Sequence, residues 1–289
     1  MKAYEIVVDR ILGLLEAGTV SWQRPWDPAV GLPRNIRGSA YRGVNLLVLG
    51  CQGYESPLWL TVRQANQLGG HIRRGERGTP VIFWKWTPSP SESESGQPQR
   101  QHAPLVRYYR VWNVLQTEGV EVPSSSATSA LEGAQVSADS VVSRMPAPPS
   151  IRHDGGARAF YRPSTDSVHL PPREAFHQVD GYLSTLFHEL VHSTGHATRL
   201  ARSAVTDGSL FGDHAYSEEE LVAEMGAAFL CTHVGIASRT IENAAAYIGS
   251  WLQVLRDDRR MLLRASQRAQ RAVDYILRRV EATAPEEAP

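Results

Sequence analysis

The chain has 289 residues with 30 Lys and Arg against 30 Asp and Glu, so its formal charge is near zero and any polyanion-binding surface must be local. Apolar residues make up 42%, yet no run approaches the roughly 18 apolar positions of a bilayer span, which excludes a membrane-spanning helix. Cys51 and Cys231 stand alone and far apart, and the start MKAYEIVVDR lacks the apolar core of a secretory signal, so a disulfide framework and a cysteine zinc cluster are excluded and a reducing, cytoplasmic setting is expected.

In chain order, Ile6, Val7, Ile11, Leu14 and Leu15 recur near helical spacing and predict a first helix over residues 4–16, which Gly18 can end. A loop-rich region follows, and then VIFWKW and LVRYYRVWNVL, rich in aromatic and β-branched residues, predict two strands. Between them, residues 88–104 are polar and rich in Pro and Ser, and are expected to form an excursion without order of its own. Residues 123–150, rich in Ser, Ala and Pro, read as a flexible linker, and six of the seven tryptophans precede it. After it, ARAFYRP and SVHLP predict a short hairpin, and helices are expected near 179–194, 217–234 and 240–281, the last divided in two. The fold class is therefore α+β, with a small α+β domain at 1–122 and a mainly helical domain with a small sheet at 151–289.

The string FHELVHSTGH contains HExxH, which chance would place in this composition only roughly 0.02 times. On a helix His188 and His192 project from one face and can reach one ion, with Glu189 beside them as a general base. Leu183, Leu186, Phe187, Leu190 and Val191 make the helix body apolar, so the polar trio is costly there without a partner. The continuation HExxHxxGxxH fails, because Thr198 stands where its last histidine would fall and His196 comes two residues early. SEEELVAEMGAAFL instead offers Glu220 and Glu224 one turn apart, Glu220 as the ligand and Glu224 as its support or as the alternative ligand, while Ser217 with Glu220 could also form a capping box needing no metal. Glu219 lies about 100° round the helix from Glu220, so only one of the two can face the ion. His196 is a spare imidazole near the site. The chemistry implied is metal-assisted hydrolysis of an amide, with zinc as the ion and manganese as another divalent candidate.

Residues 1–87 carry 11 Lys and Arg against 6 Asp and Glu. Trp22, Arg24 and Trp26, then Asn35, Arg37, Tyr41, Arg42 and Asn45, then Trp59, Arg63, Arg73 and Arg74, interleave aromatic faces for stacking with cations for phosphates. That pattern suits single-stranded DNA better than duplex, although tryptophans are as often packed in a core.

The strings VVDRILGLLEAGTVSWQRPW, YRGVNLLVL, SPLWLTVRQANQLGGHIRRGERGTPVIFWKW and YRVWNVLQ resemble the single-stranded-DNA-binding domain of ArdC-type antirestriction proteins, shared with TraC-type conjugative primases. HLPPREAF, YLSTLFHELVHSTGH, RLAR, FGDHAYSEEELVAEMGAAFL and AAAYIGSWLQVL resemble the zincin-like metallopeptidase domain of the same proteins. The resemblance implies plasmid, phage or other mobile-element biology: a protein that binds single-stranded DNA, protects it from restriction and holds a metal through His188, His192 and a glutamate of EELVAE. A host restriction component or another protein is the implied substrate, and no membrane is implied. The chain ends soon after the zincin-like segment, so no polymerising domain is expected. Two alternatives stay open: a binding-only antirestriction protein with a structural metal, and a zinc metallopeptidase whose amino-terminal domain docks protein.

Overall fold

The apolar stripe near the amino terminus forms α1 (Ala3–Glu16), which buries Val7, Val8, Ile11, Leu12 and Leu15 and ends at Gly18, whose φ of 78° suits glycine. The computed structural model describes residues 3–18, 20, 31–92, 98–122, 138–207, 214–236 and 244–278. After α1 come β1 (Arg34–Asn35), α2 (Val44–Gly50), β2 (Leu58–Leu60) and α3 (Val62–Gln67), the last started by a reciprocal capping box between Thr61 and Gln64. Next are β3 (His71–Ile72), β4 (Thr79–Glu92), β5 (Pro98–Asn113) and β6 (Thr117–Glu118). One sheet has the order β1-β2-β5-β4, parallel only between β1 and β2, and β3 pairs with β6.

The expected excursion at 88–104 is corrected for residues 88–92 and 98–104, residues 93–97 lying outside the described residues. The β4–β5 ladder continues from Thr79 opposite Val111 to Glu92 opposite Pro98. Backbone groups pair whatever the side chains are, so a polar ribbon can extend beyond the apolar part of a sheet.

The stretch expected to be linker is also corrected in part. Residues 123–137 lie outside the described residues, but Ala138–Arg144 is helix α4, and Val141 and Met145, four apart, are buried in the core. Two apolar anchors at helical spacing suffice to dock a short helix even in a segment of serines and alanines.

The second half opens with a three-stranded sheet of β7 (Ser150–Arg152), β8 (Phe160–Arg162) and β9 (Ser167–His169) in the order β7-β9-β8. The expected hairpin is its antiparallel β8–β9 pair, and β7 adds in parallel. Helices α5 (Val179–Ser193), α6 (Ser203–Thr206), α7 (His214–Val234), α8 (Ala244–Asp257) and α9 (Met261–Ile276) follow. The last two are divided at Asp258, whose carboxylate accepts from the backbone N–H of Arg260 and Met261.

One apolar cluster spans both halves, joining Val7, Ile11, Leu47 and Ile82 to Phe187, Leu190, Phe229, Leu262 and Val273. The seam also carries polar ties: Arg42 pairs with the buried Asp274 on α9, and the Gly43 N–H donates to Gln270 Oε1 at 3.1 Å. Arg42 therefore serves an internal contact, where the sequence suggested a DNA contact. Among the described residues no helix is long and apolar enough to cross a membrane.

Helices α5 and α7 pack tightly at Gly226, where an added Cβ would stand 2.7 Å from Val191 Cγ2. Helix propensity alone makes Gly226→Ala stabilising by about 1 kcal/mol, whereas overpacking costs about 1–3 kcal/mol. The expected outcome is a lower melting temperature for Gly226→Ala; a higher one would show that the two helices are not held this close.

Candidate metal centre

Helix α5 presents His188 and His192 one turn apart on one face, and α7 crosses it with Glu220 directed at both. His188 Nε2 lies 3.1 Å from His192 Nε2, Glu220 Oε2 is 3.6 Å from His188 Nε2, and Glu220 Oε1 is 3.4 Å from His192 Nε2. A tetrahedral ion with bonds of about 2.0–2.1 Å sets its ligand atoms about 3.3–3.4 Å apart. The three side chains thus fit one divalent ion, and two imidazole nitrogens facing each other with a carboxylate between them are a donor set that calls for a cation. Each of the three keeps some exposure, so a fourth position is open to solvent.

Behind the triangle lies a buried charge chain. The Nδ1 of His192 meets Glu219 Oε1 at 3.2 Å, and Arg202 grips Glu219 through Nη2 at 2.7 Å and Nε at 2.8 Å. Arg202 is itself held by Thr194 Oγ1 and the carbonyl of Val191 at the end of α5. A carboxylate on Nδ1 fixes the tautomer that leaves Nε2 as the lone-pair donor. Burial opposes charge on Glu219, but hydrogen bonds from Arg202 and His192 hold its pKa below the usual carboxylate range. Burial likewise opposes charge on His192, and its hydrogen bonds to Glu219 and Glu220, with the nearby charge of Glu189, push its pKa up to about 10. Glu220 is held well below the ordinary value by the two histidines against the effect of its own burial. In the absence of an ion, a proton takes up the positive charge that this pocket demands.

Glu189 is buried beside His188, within electrostatic reach of His192 and of Tyr216. Tyr216 is half-buried one turn before Glu220, and burial with the neighbouring Glu220 and Glu189 carboxylates pushes its phenol up to about 12. It therefore keeps its proton near neutral pH and can donate a hydrogen bond.

The structure separates the sequence candidates. His188, His192 and Glu220 come together, with Glu189 next to them. Glu224 is not among the three clustered donors, and the carboxylate that meets His192 Nδ1 is Glu219. The capping-box reading of Glu220 is corrected, because α7 is already helical at His214, which places Ser217 inside it. His196 bonds Thr198 Oγ1 at 2.9 Å and lines a separate cavity with Pro163, Val205 and Asp207, so it is neither ligand nor support. Glu219 and Arg202 are what the sequence reading missed. A charged RLAR after the motif was visible, but no local spacing rule ties a residue ten positions beyond His192 to a glutamate on another helix.

Of the residues expected to meet DNA, Trp22, Arg24 and Trp26 lie outside the described residues. Trp59 is 1% exposed and packs with Leu49, Val81 and Val111, so it cannot stack on a base. Asn35 accepts from the N–H groups of Arg37 and Ser39 to close a turn, and Asn45 pairs with the backbone of Ile82. Tyr41 is half-buried against the same cluster as Trp59. Arg73 is exposed but binds Glu76 and the carbonyl of Leu115, and Arg37, Arg63 and Arg74 are exposed as well.

Residues 1–112 match the family model of the N-terminal domain of the anti-restriction factor ArdC, and residues 137–268 match that of a zincin-like metallopeptidase. The chain is 35% identical over 292 residues to the DNA primase TraC of Escherichia coli, a match that covers 95% of this chain and 27% of that protein. It thus spans about a quarter of the length of that relative. Two crystal structures of the antirestriction protein ArdC of plasmid R388, one metal-free and one with Mn(II), superpose with TM-score 0.75 at 34% identity. They cover 96% of this chain and 97% and 98% of the solved chains.

Two outcomes follow from the geometry. Glu220→Gln is expected to weaken divalent-metal binding most; Glu219→Gln, which leaves Nδ1 and Arg202 without their carboxylate, should weaken it about 10- to 100-fold, and Glu224→Gln should keep it. Chelator competition ranks the three, and a loss confined to Glu224→Gln would overturn the assignment. Because His192 carries a proton up to about pH 10 without metal, the ion must displace it, so acid weakens binding. His192 alone contributes about tenfold in affinity per pH unit between pH 6 and 9. Calorimetry in buffers of different ionisation enthalpy measures the released proton, and pH-independent binding would contradict this.

Proposed function

Since the chain belongs to the ArdC antirestriction family, we propose that it protects the DNA of a plasmid, phage or other mobile element from host restriction. In this reading the amino-terminal half binds that DNA as a single strand, and the carboxy-terminal half is a divalent-metal hydrolase site that acts on a host restriction component or another protein. The observation that carries the hydrolase reading is the triangle of His188, His192 and Glu220, at 3.1 to 3.6 Å, with a buried glutamate beside it. The Mn(II)-bound relative supports a divalent ion, and zinc is the ion proposed in the cell. The DNA half of the reading rests on the amino-terminal family match, on the primase activity in the name of the TraC relative and on the excess of arginine before residue 88.

His188, His192 and Glu220 would hold the ion, which when bound supplies Lewis acidity and makes water a nucleophile near neutral pH. Glu189 is the general base: it takes a proton from water at the site and returns it to the departing amine nitrogen. Its burial keeps it from being solvated away from that task. Glu219 and Arg202 keep the His192 ring in one orientation and one tautomer. Tyr216, protonated throughout the working range, is a hydrogen-bond donor beside the two carboxylates, fit to stabilise negative charge that develops on a substrate oxygen.

Glu189→Gln tests the reading, because glutamine keeps the shape of the side chain and removes the base. Metal content and DNA binding are expected to match wild type, while protection of DNA transferred by conjugation into a restricting host falls to the level of a strain lacking the protein. Full protection by Glu189→Gln with its metal in place would overturn the hydrolytic part and leave a protein that shields DNA by binding alone.

A further inference from the structure

Along β5 the side chains alternate, and Tyr109 and Val111 turn into the cluster with Trp59 and Val81. Tyr108 and Arg110 therefore share the opposite face. Tyr108 is 45% exposed, a high value for an aromatic ring on a paired strand, and Arg110 is exposed beside it. The residue opposite Tyr108 on β4 is Ile82, whose N–H and C=O are both bound by the Asn45 side chain outside the ladder. Ile82 and Tyr108 thus form the closer, non-hydrogen-bonded kind of cross-strand pair, and the buried isoleucine backs the ring while leaving part of it open to solvent.

The loop before β4 lies against this face at Gly78 and carries further cations. Arg110 Nη1 donates to the Gly78 carbonyl at 2.8 Å. An added Cβ at Gly78 would lie 2.7 Å from the Trp112 ring and 3.0 Å from Arg110 Cβ, so only glycine lets the loop lie this close to the strand. Arg74 and Arg77 in that loop are exposed and have no ion-pair partner among the described residues. Glu76, the acidic group between them, is already bonded by Arg73 and Gln116.

From this we propose that Tyr108 on β5 is the base-stacking position of a single-strand site whose phosphates are met by Arg110, Arg74 and Arg77. The inference rests on the single-strand reading above and gives it a location. One exposed ring, with Arg110 two residues further along the same strand face and further cations on the adjoining loop, suits an unstacked base followed by its phosphates, whereas a duplex keeps its base faces covered. Glu76, the acidic group of this loop, is already bonded, so the loop and Arg110 offer net positive charge to a phosphate.

The test titrates labelled oligothymidine with the full chain. Tyr108→Ala is expected to weaken binding about 5- to 150-fold, the range for losing one base–aromatic stack, and Tyr108→Phe, which keeps the ring face, to restore it. Arg74→Gln combined with Arg77→Gln should lower the slope of log affinity against log salt by about 1.4, two phosphate contacts on a single strand. Wild-type binding with undiminished affinity in a folded Tyr108→Ala protein would overturn this location and leave the single-strand reading standing. Failure of the wild type to bind oligothymidine would overturn both.

Discussion

The site depends on how closely α5 and α7 are held. Its ligand atoms come from two helices, two from one and one from the other, and a metal tolerates only tenths of an ångström in their separations. Gly226 lets Val191 of α5 enter the surface of α7, and Phe187, Leu190, Leu221 and Phe229, all buried, fill the remaining space. Close packing of this kind has discrete solutions, so it positions Glu220 against His188 and His192 more rigidly than any loop could.

Such packing alone would leave expensive charges inside. Glu219 is 6% exposed and Arg202 8% exposed, and burying either alone would cost several kcal/mol. Together they form a bidentate pair whose free valences end on His192, Thr194 and the Val191 carbonyl. The chain is satisfied at each step and terminates in the imidazole that faces the ion, so its stability and its orienting effect share one origin. Arg199 works in a similar way at the neighbouring corner, binding Asp166 of the small sheet and the carbonyls of Ser193 and Ala147. The end of the motif helix is thereby fastened on two sides.

The two halves share more than a linker. Their apolar residues form one cluster, and α9 carries contacts to each: Asp274 and Gln270 hold the Arg42–Gly43 turn, while Arg264 and Arg268 hold Glu218 beside the metal-facing residues of α7. The nucleic-acid surface proposed on β5 lies on the sheet, where backbone pairing is regular and a side-chain row is presented at fixed intervals. A long strand face and the helix pair of the metal-facing residues thus belong to one core.

Local rules in the sequence were enough for strongly periodic elements, though not for the short helix α4 or the polar end of the β4–β5 ladder. HExxH sets His188 and His192 on one face because four residues make roughly one turn, and the helices of the second half and the β8–β9 hairpin follow from periodicity and turn residues in the same way. The resemblance to the ArdC family was also legible, since it rests on strings of residues. What local rules left open were choices between elements. Only the crossing of α5 and α7 decides that Glu220 points into the triangle, that Glu219 stands behind His192, and that Glu224 stays outside the three clustered donors. Only the sheet decides that Trp59 is core while Tyr108 is open, although both are aromatic residues on strands near arginines. The physical reason is common to all of these: a side chain's direction along its own helix or strand is fixed by backbone geometry, whereas what it meets there is set by elements that approach from far along the chain.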